Sequence, residues 1–253
     1  MLGGMAMRPV SVFIMDVTES SSAEHREELS DYIADIGGWV KEWFQNFASV
    51  QVKHRSGDEL IFVADGYSSA FITAFFISRI WKFENNKPYF GLAFGSIDKR
   101  VDEIDIEKWI HPLVKQARTA NDTLKKQKDR ESFLFEGNNQ NFELQTLLNG
   151  ILKLQHALVI QQTEVQRLVC SLYLVYEKQN AVAELMKRSA PTIYSHFKKG
   201  HSEQVLGSYR AIANVLDSLH AKEFEELEKY KPNILEDKIR DYIKGQVQEI
   251  FSL

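Results

Sequence analysis

The sequence predicts an α+β sheet domain followed by an all-α domain, and three observations predict it. Up to Gly137, short β-rich apolar runs alternate with stretches of helical periodicity. From Phe142 to Leu253 only helical periodicity recurs. Between them lies Gly137-Asn138-Asn139-Gln140-Asn141, a polar stretch with the composition of a boundary. The expected units are 1–137 and 142–253, and a chain of 253 residues is long enough for both.

Each element has its own signal. Val10 to Met15 is a short apolar run, read as a buried strand and not as a leader, because no convincing cleavage site follows it. Ala23 to Phe47 reads as an amphipathic helix with Leu29, Ile33, Ile36, Val40 and Trp43 on one face. VQVKHR and ELIFVA flank Ser56-Gly57-Asp58, a hairpin signal. Tyr67 to Phe83 predicts a largely buried helix, its Phe71, Phe75 and Phe76, with Trp81 and Phe83, serving as core and not as a base-stacking platform. YFGLAFGSI, from Tyr89 to Ile97, is a strand whose two glycines imply a close backbone approach. Ile104 to Lys126 is expected to be helical and Ser132 to Phe135 to be a last strand. The order β-α-β-β-α-β-α-β is close to a ferredoxin-like core. Helices are then expected over Leu144–Leu158, Glu164–Tyr176, Ala181–Lys187, Ala190–Lys199, Gln204–Tyr230 and Asn233–Phe251. In the last two, Val205, Ile212, Val215, Leu216 and Leu219, then Ile239, Tyr242, Ile243, Val247 and Ile250, either close the helical unit or form a dimer seam.

Composition excludes several classes. With 44% hydrophobic residues, 13 Gly and 5 Pro, the chain is neither disordered nor collagen-like. A single cysteine, Cys170, can form neither an internal disulfide nor a cysteine zinc site, and its run LVCSLYLVY marks it as core. A reducing, cytoplasmic setting is the expectation. No run of about 18 apolar residues is free of charge, so no membrane span is expected. The seven histidines show no metalloprotease spacing, and no Walker, dinucleotide or Gly-x-Ser-x-Gly fingerprint occurs. Net charge is −4, which argues against wholesale coating of nucleic acid, so local clustering has to carry any such function.

Such a cluster lies at 179–199. A short helix carrying Val182, Ala183 and Met186 is expected to pack on a second carrying Ile193 and Phe197. Ala183 is small where the two cross. Ala190, Thr192, Ser195 and His196 then face outward, short enough to approach base edges. Ser189 is placed to cap the second helix. Between Lys178 and His201 stand Lys178, Lys187, Arg188, Lys198 and Lys199 against the single acid Glu184, a balance that suits phosphate contact. The stretch resembles the helix-turn-helix of bacterial regulators, especially the DNA-binding C-terminal region of sigma factors. The turn position that usually holds glycine is Lys187, so a longer or distorted turn is expected. An ordinary helical hairpin with a solvated basic face is the competing reading.

A second cluster lies in the sheet unit. Asp16 follows the first strand and Asp58 sits in the hairpin turn, positions that a β-α-β-β unit places side by side. Two carboxylates there can share Mg²⁺ or Mn²⁺, with Glu19 and Glu59 nearby and Ser20, Ser21 and Ser22 available to a phosphate. An Asp after strand one with Gly-Asp-Glu in a hairpin resembles the palm of class III nucleotide cyclases and diguanylate cyclases. The whole chain resembles the SatD family, in which a cyclase-like domain precedes a helix-turn-helix. The matching pieces are Asp16-Val17 with Ser20, Arg26, Ser56-Gly57-Asp58-Glu59, Gly91, Gly95 and Gln116-Ala117-Arg118-Thr119-Ala120. The departures are Met15 where the cyclases have Gly, Ser21 where an Arg is expected, and Leu60-Ile61 where an aromatic-Gln pair is expected. Nothing matches the purine-selecting Lys/Asp pair or the transition-state Arg, so turnover is not expected and no catalytic residue is assigned.

The expectation is a cytoplasmic regulator that contacts double-stranded DNA through Arg188, Thr192, Ser195, His196, Lys198 and Lys199, works as a homodimer and uses the cyclase-like unit to dimerise or sense a nucleotide ligand. The alternatives are a metal-dependent nucleotidyl cyclase or phosphotransferase using Asp16 and Asp58, and a protein-interaction adaptor.

Overall fold

The computed structural model describes residues 7–18, 26–55, 57–137, 142–223 and 232–252. The fold is α+β, with one five-stranded mixed sheet and ten helices among the described residues. The elements are β1 (Arg8–Val17), α1 (Arg26–Phe44), β2 (Val50–His54), β3 (Leu60–Asp65), α2 (Ser69–Ile80), β4 (Pro88–Ile97), α3 (Pro112–Lys126) and β5 (Phe133–Phe135). Then come α4 (Phe142–Val159), α5 (Glu164–Tyr176), α6 (Gln179–Leu185), α7 (Ala190–Lys199), α8 (Ser202–Glu223), α9 (Pro232–Gly245) and α10 (Val247–Phe251). Glu19, the three serines after it, the start of the first expected helix, Ser56, Asn138–Asn141 and the stretch 224–231 lie outside the described residues.

The strands lie in the order β2-β3-β1-β4-β5, antiparallel throughout except for the β4–β5 pair. Central β1 is buried along nearly its whole length because both sheet faces are covered. The period of two divides its side chains. Phe13, Met15 and Val17 face α1 and α2, while Val10, Val12 and Ile14 face α3 and the segment before it. That segment corrects the expected helix over 104–126. Val101–Glu103 is a single 3₁₀ turn, and α3 begins only at Pro112. There the His111 ring accepts the Leu113 N–H at 3.2 Å, and Pro112 suits the first turn, where no intrahelical donor is needed. Ile104 and Ile106 are buried because the irregular chain tucks both beneath itself.

Of the two glycines of β4, Gly91 makes the close backbone approach expected of both, and Gly95 does not. A Cβ on Gly91 would stand 2.0 Å from the Ala117 carbonyl oxygen and 2.4 Å from the Asn121 nitrogen, so α3 lies directly on the β4 backbone. Asn121 fixes the contact by donating its side-chain N–H to the Ile14 carbonyl at 3.1 Å. At Gly95 the neighbour is the flexible end of Leu113, at 3.0 Å.

The polar stretch at Gly137 divides the chain by kind of structure, while the core runs across it. Every residue of α2 except Ser78 is buried, so this helix is covered on all sides. The sheet covers one side. On the other, the Tyr209 ring of α8 stacks on Phe75 with centroids 4.2 Å apart and also meets Phe71. Trp43 of α1 meets Tyr242 of α9, and β5 is held by α4, whose Asn149 side chain exchanges two hydrogen bonds with the Phe135 backbone at 2.8 and 2.9 Å. Val205, Ile212, Leu216, Ile239 and Ile243 are all buried, so these positions of the C-terminal helices close the core, while Val215 is 39% exposed.

One polar group is buried at this junction at a cost. Asp217 of α8 reaches the Ser68 side chain at the start of α2, one of its oxygens has no partner, and burial pushes its carboxyl up to about 6. The folded state therefore holds this proton more tightly than the unfolded chain, whose value is 3.8, and stability falls as pH rises between them. Asp217→Asn is expected to match wild type near pH 4 and to be more stable by about 1–2 kcal/mol at pH 7.5, read by urea unfolding. Gly91→Ala is expected to lose about 3 kcal/mol or more, because its Cβ meets backbone, and Gly95→Ala about 1 kcal/mol.

Candidate functional site

Helices α5, α6 and α7 enclose a small core apart from the main one. Val169 and Leu172 of α5, Val182 and Ala183 of α6 and Ile193 of α7 are buried in it, with Met186, Ala190 and Phe197 packed at its edge. The pairing expected between Val182, Ala183 and Met186 and Ile193 and Phe197 is thus present. Tyr173 of α5 braces α7 by lying on Phe197, ring centroids 4.2 Å apart. Where α5 ends, Glu177 takes a left-handed conformation with φ 55°, and its carboxylate meets Arg240 and Arg210.

The turn between α6 and α7 is short and regular, which corrects the longer or distorted turn expected from Lys187. Lys187 itself adopts the left-handed conformation, φ 53°. The Arg188 N–H returns to the Ala183 carbonyl at 3.0 Å and the Lys187 N–H to Glu184 at 3.1 Å, the hydrogen bonds a glycine-terminated helix makes. Lysine bears the steric cost of that conformation and projects a charge from the corner. Ser189 then caps α7, its Oγ accepting the Thr192 N–H at 3.3 Å, and the Gln179 side chain donates to the Ala190 carbonyl at 2.7 Å.

The outer face of α7 departs in part from expectation. Thr192, Ser195 and His196 are only half exposed, and Thr192 hydrogen-bonds Ser189. The most exposed face carries Pro191, Tyr194 and Lys198, with Lys199 beside it. Tyr194, 48% exposed, adds an aromatic to a face for which the sequence pointed only to short side chains. Lys198 is paired with Glu203, just beyond the basic stretch 178–201, and lies over the Tyr194 ring. Arg188 and Lys199 are exposed and make no ion pair among the described residues, so their charges remain available.

The two carboxylates expected side by side do lie together. Asp16 and Asp58 are in side-chain hydrogen-bond contact. Asp16 is buried at the end of β1, where it accepts the Val17 N–H at 2.9 Å and faces the Lys125 ammonium at 3.3 Å. Burial comes first, and the neighbouring Asp58 second, in raising its proton affinity, against a smaller opposing pull from Lys125. Tyr89 also hydrogen-bonds Asp16, and Arg130 lies 4.6 Å over the Tyr89 ring. Glu59 takes no part. Arg118 of α3 grips it in two hydrogen bonds of 2.7 and 3.0 Å, and Arg55 adds a third at 3.1 Å. These contacts give Arg118 its place in the Gln116–Ala120 motif, while Ala117 and Ala120 are buried where α3 meets the sheet.

Two carboxylates forced together, with a phenol beside them, make an all-oxygen set of the kind Mg²⁺ or Mn²⁺ accepts. Among the described residues no group of three or more acidic, histidine or cysteine side chains is placed to hold a metal ion, so a cation here would need oxygens from water or ligand. Because folded Asp16 holds its proton more tightly than an unfolded Asp, the pair costs stability above the ordinary carboxylate range. Asp58→Asn is expected to shift the Asp16 carboxyl titration to lower pH, followed by carbon-13 NMR, and to raise stability at pH 8. An unchanged Asp16 titration would contradict this geometry.

Among family models, curated proteins and solved structures, none matches this chain.

Proposed function

We propose that the chain is a DNA-binding transcriptional regulator that reads DNA with α6 and α7 as a helix-turn-helix. The observation that carries this reading is the capped helix α7, held from behind by α5 and α6. It sits at the end of a turn that projects Lys187 and Arg188, with Lys199 at its far end. In a chain of net charge −4, this is the surface suited to a phosphate backbone. Arg188, Lys187, Lys198 and Lys199 would bind phosphate, while Thr192, Ser195, His196 and the exposed Tyr194 would reach the groove.

Two copies would give two half-sites, which one short recognition helix needs for specificity. The surface available for pairing is on α4, where Leu147 and Leu154, seven residues apart, are 61% and 71% exposed. No helix among the described residues is long and apolar enough to cross a membrane, in keeping with a cytoplasmic setting. The antiparallel order β2-β3-β1-β4, with α1 and α2 on one face, supports a ferredoxin-like, cyclase-palm-like reading of the sheet part. The Arg118–Glu59 clamp and the close fit at Gly91 give physical roles to residues on which the SatD resemblance rests.

A second reading rests on the contact between Asp16 and Asp58. It assigns the pair a divalent cation, with a nucleotide as the ligand sensed.

The test is duplex affinity against salt. Wild type is expected to show a steep linear fall of log affinity with log salt. Arg188→Ala and Lys199→Ala are each expected to flatten that slope by about 1. Slopes equal to wild type in both variants would reject α6–α7 as the contact surface. Mg²⁺ that stabilises wild type but not Asp16→Asn, at matched ionic strength, is the outcome expected of the second reading.

A further inference from the structure

Arg79 stands one residue before the end of α2 and is only 8% exposed, yet its Nε and Nη1 have no hydrogen-bond partner among the described residues. The guanidinium meets the Cys170 sulfur and lies 5.3 Å from the Phe75 ring centroid, and no carboxylate pairs with it among the described residues. A buried cation with two orphaned donors is costly, and such groups in native proteins have a reason. Arg79 lines a cleft of about 70 Å³ at the junction of the sheet and the helices. Lys87, Ser132, His156 and Arg167 line it too, with Glu84 as its carboxylate. Glu84 is engaged by Arg167 at 2.8 Å, which leaves the charge of Arg79 and Lys87 uncompensated. The Ser132 hydroxyl and His156 Nδ1 are 3.4 Å apart beside them. Burial, and then the neighbouring Lys87 and Arg79, disfavour protonation of His156.

We propose that this cleft binds a compact oxyanion, a phosphate group, held by Arg79 from below and by Lys87 and Arg167 at the rim. Three cations against one carboxylate match a dianion better than a carboxylate ligand. A tetrahedral anion accepts hydrogen bonds from several directions, which suits a cleft lined by three separate cationic side chains. The room suits one such group and no more. The site is distinct from the Asp16–Asp58 pair, which lies on the other face of the sheet, and it does not depend on the DNA reading. It touches α5 through Arg167, so occupancy would bear on the helix that supports α6 and α7.

The probe is inorganic phosphate, added to the full chain in place of chloride or acetate at constant pH and ionic strength, with thermal unfolding as the readout. Phosphate is expected to raise the melting temperature in proportion to the logarithm of its concentration. Lys87→Ala, on an exposed loop, is expected to weaken binding about tenfold. Arg79→Met is expected to melt higher than wild type without phosphate, because an unpaired buried charge is gone, and to lose the phosphate response. Should Arg79→Met fail to fold, Lys87→Ala and Arg167→Gln decide the matter. A phosphate monoester that competes for the same site would place the anion on a larger molecule and support the proposal. Phosphate acting no better than chloride or acetate, or variants that respond as wild type does, would overturn it.

Discussion

The structure depends on α2 having no polar face. A helix that is apolar all round has to be buried all round, and a single sheet covers only one side. The remainder, Phe75 and Phe76 in particular, is closed by Tyr209 of α8, with α5 and α9 alongside. The sheet part and the helical part are therefore bound by a shared apolar surface, with side chains from both in one core. The polar groups at this junction follow from the same arrangement. Asp217 and Arg79 are each buried near an end of α2, because helices that must approach it leave little room for water.

The opposite face of the sheet is organised by the approach of α3. Gly91 admits the backbone of α3, and Asn121 fastens it to β1. Once α3 lies this close, Arg118 reaches Glu59 and Lys125 reaches Asp16, so the hairpin tip is drawn to the end of β1. The carboxylate pair is thus held by the same packing that builds the sheet, and its raised proton affinity follows from placing two acids where water is scarce. The helical trio α5–α7 has its own small core, which leaves the outer face of α7 free of packing duties.

Much of this was legible in the sequence because the relevant signals are local. The bounds of α7 follow from a capping serine, those of α5 from periodicity, and the strands from alternation between turn residues. The juxtaposition of Asp16 and Asp58 was legible too, since antiparallel pairing of β1 with β3 brings the end of one strand to the hairpin of the other. What was not legible is long-range. Nothing in the spacing of Phe71, Phe75 and Phe76 tells which partner covers them, and Tyr209 lies more than a hundred residues away. The start of α3 is set by Pro112 and the His111 cap, and the expected start at Ile104 passed over both. Glu203, which pairs with Lys198, lies beyond the basic stretch 178–201, and the unpartnered Nε and Nη1 of buried Arg79 have no sequence signature.

The account turns on α7 being the surface that meets DNA. The direct measurement is the perturbation of backbone amide resonances as a duplex of about two helical turns is added at low salt. The account predicts shifts concentrated between Lys187 and Lys199, with the amides of β1 unmoved. Shifts absent from α7, or centred on another face, would contradict it.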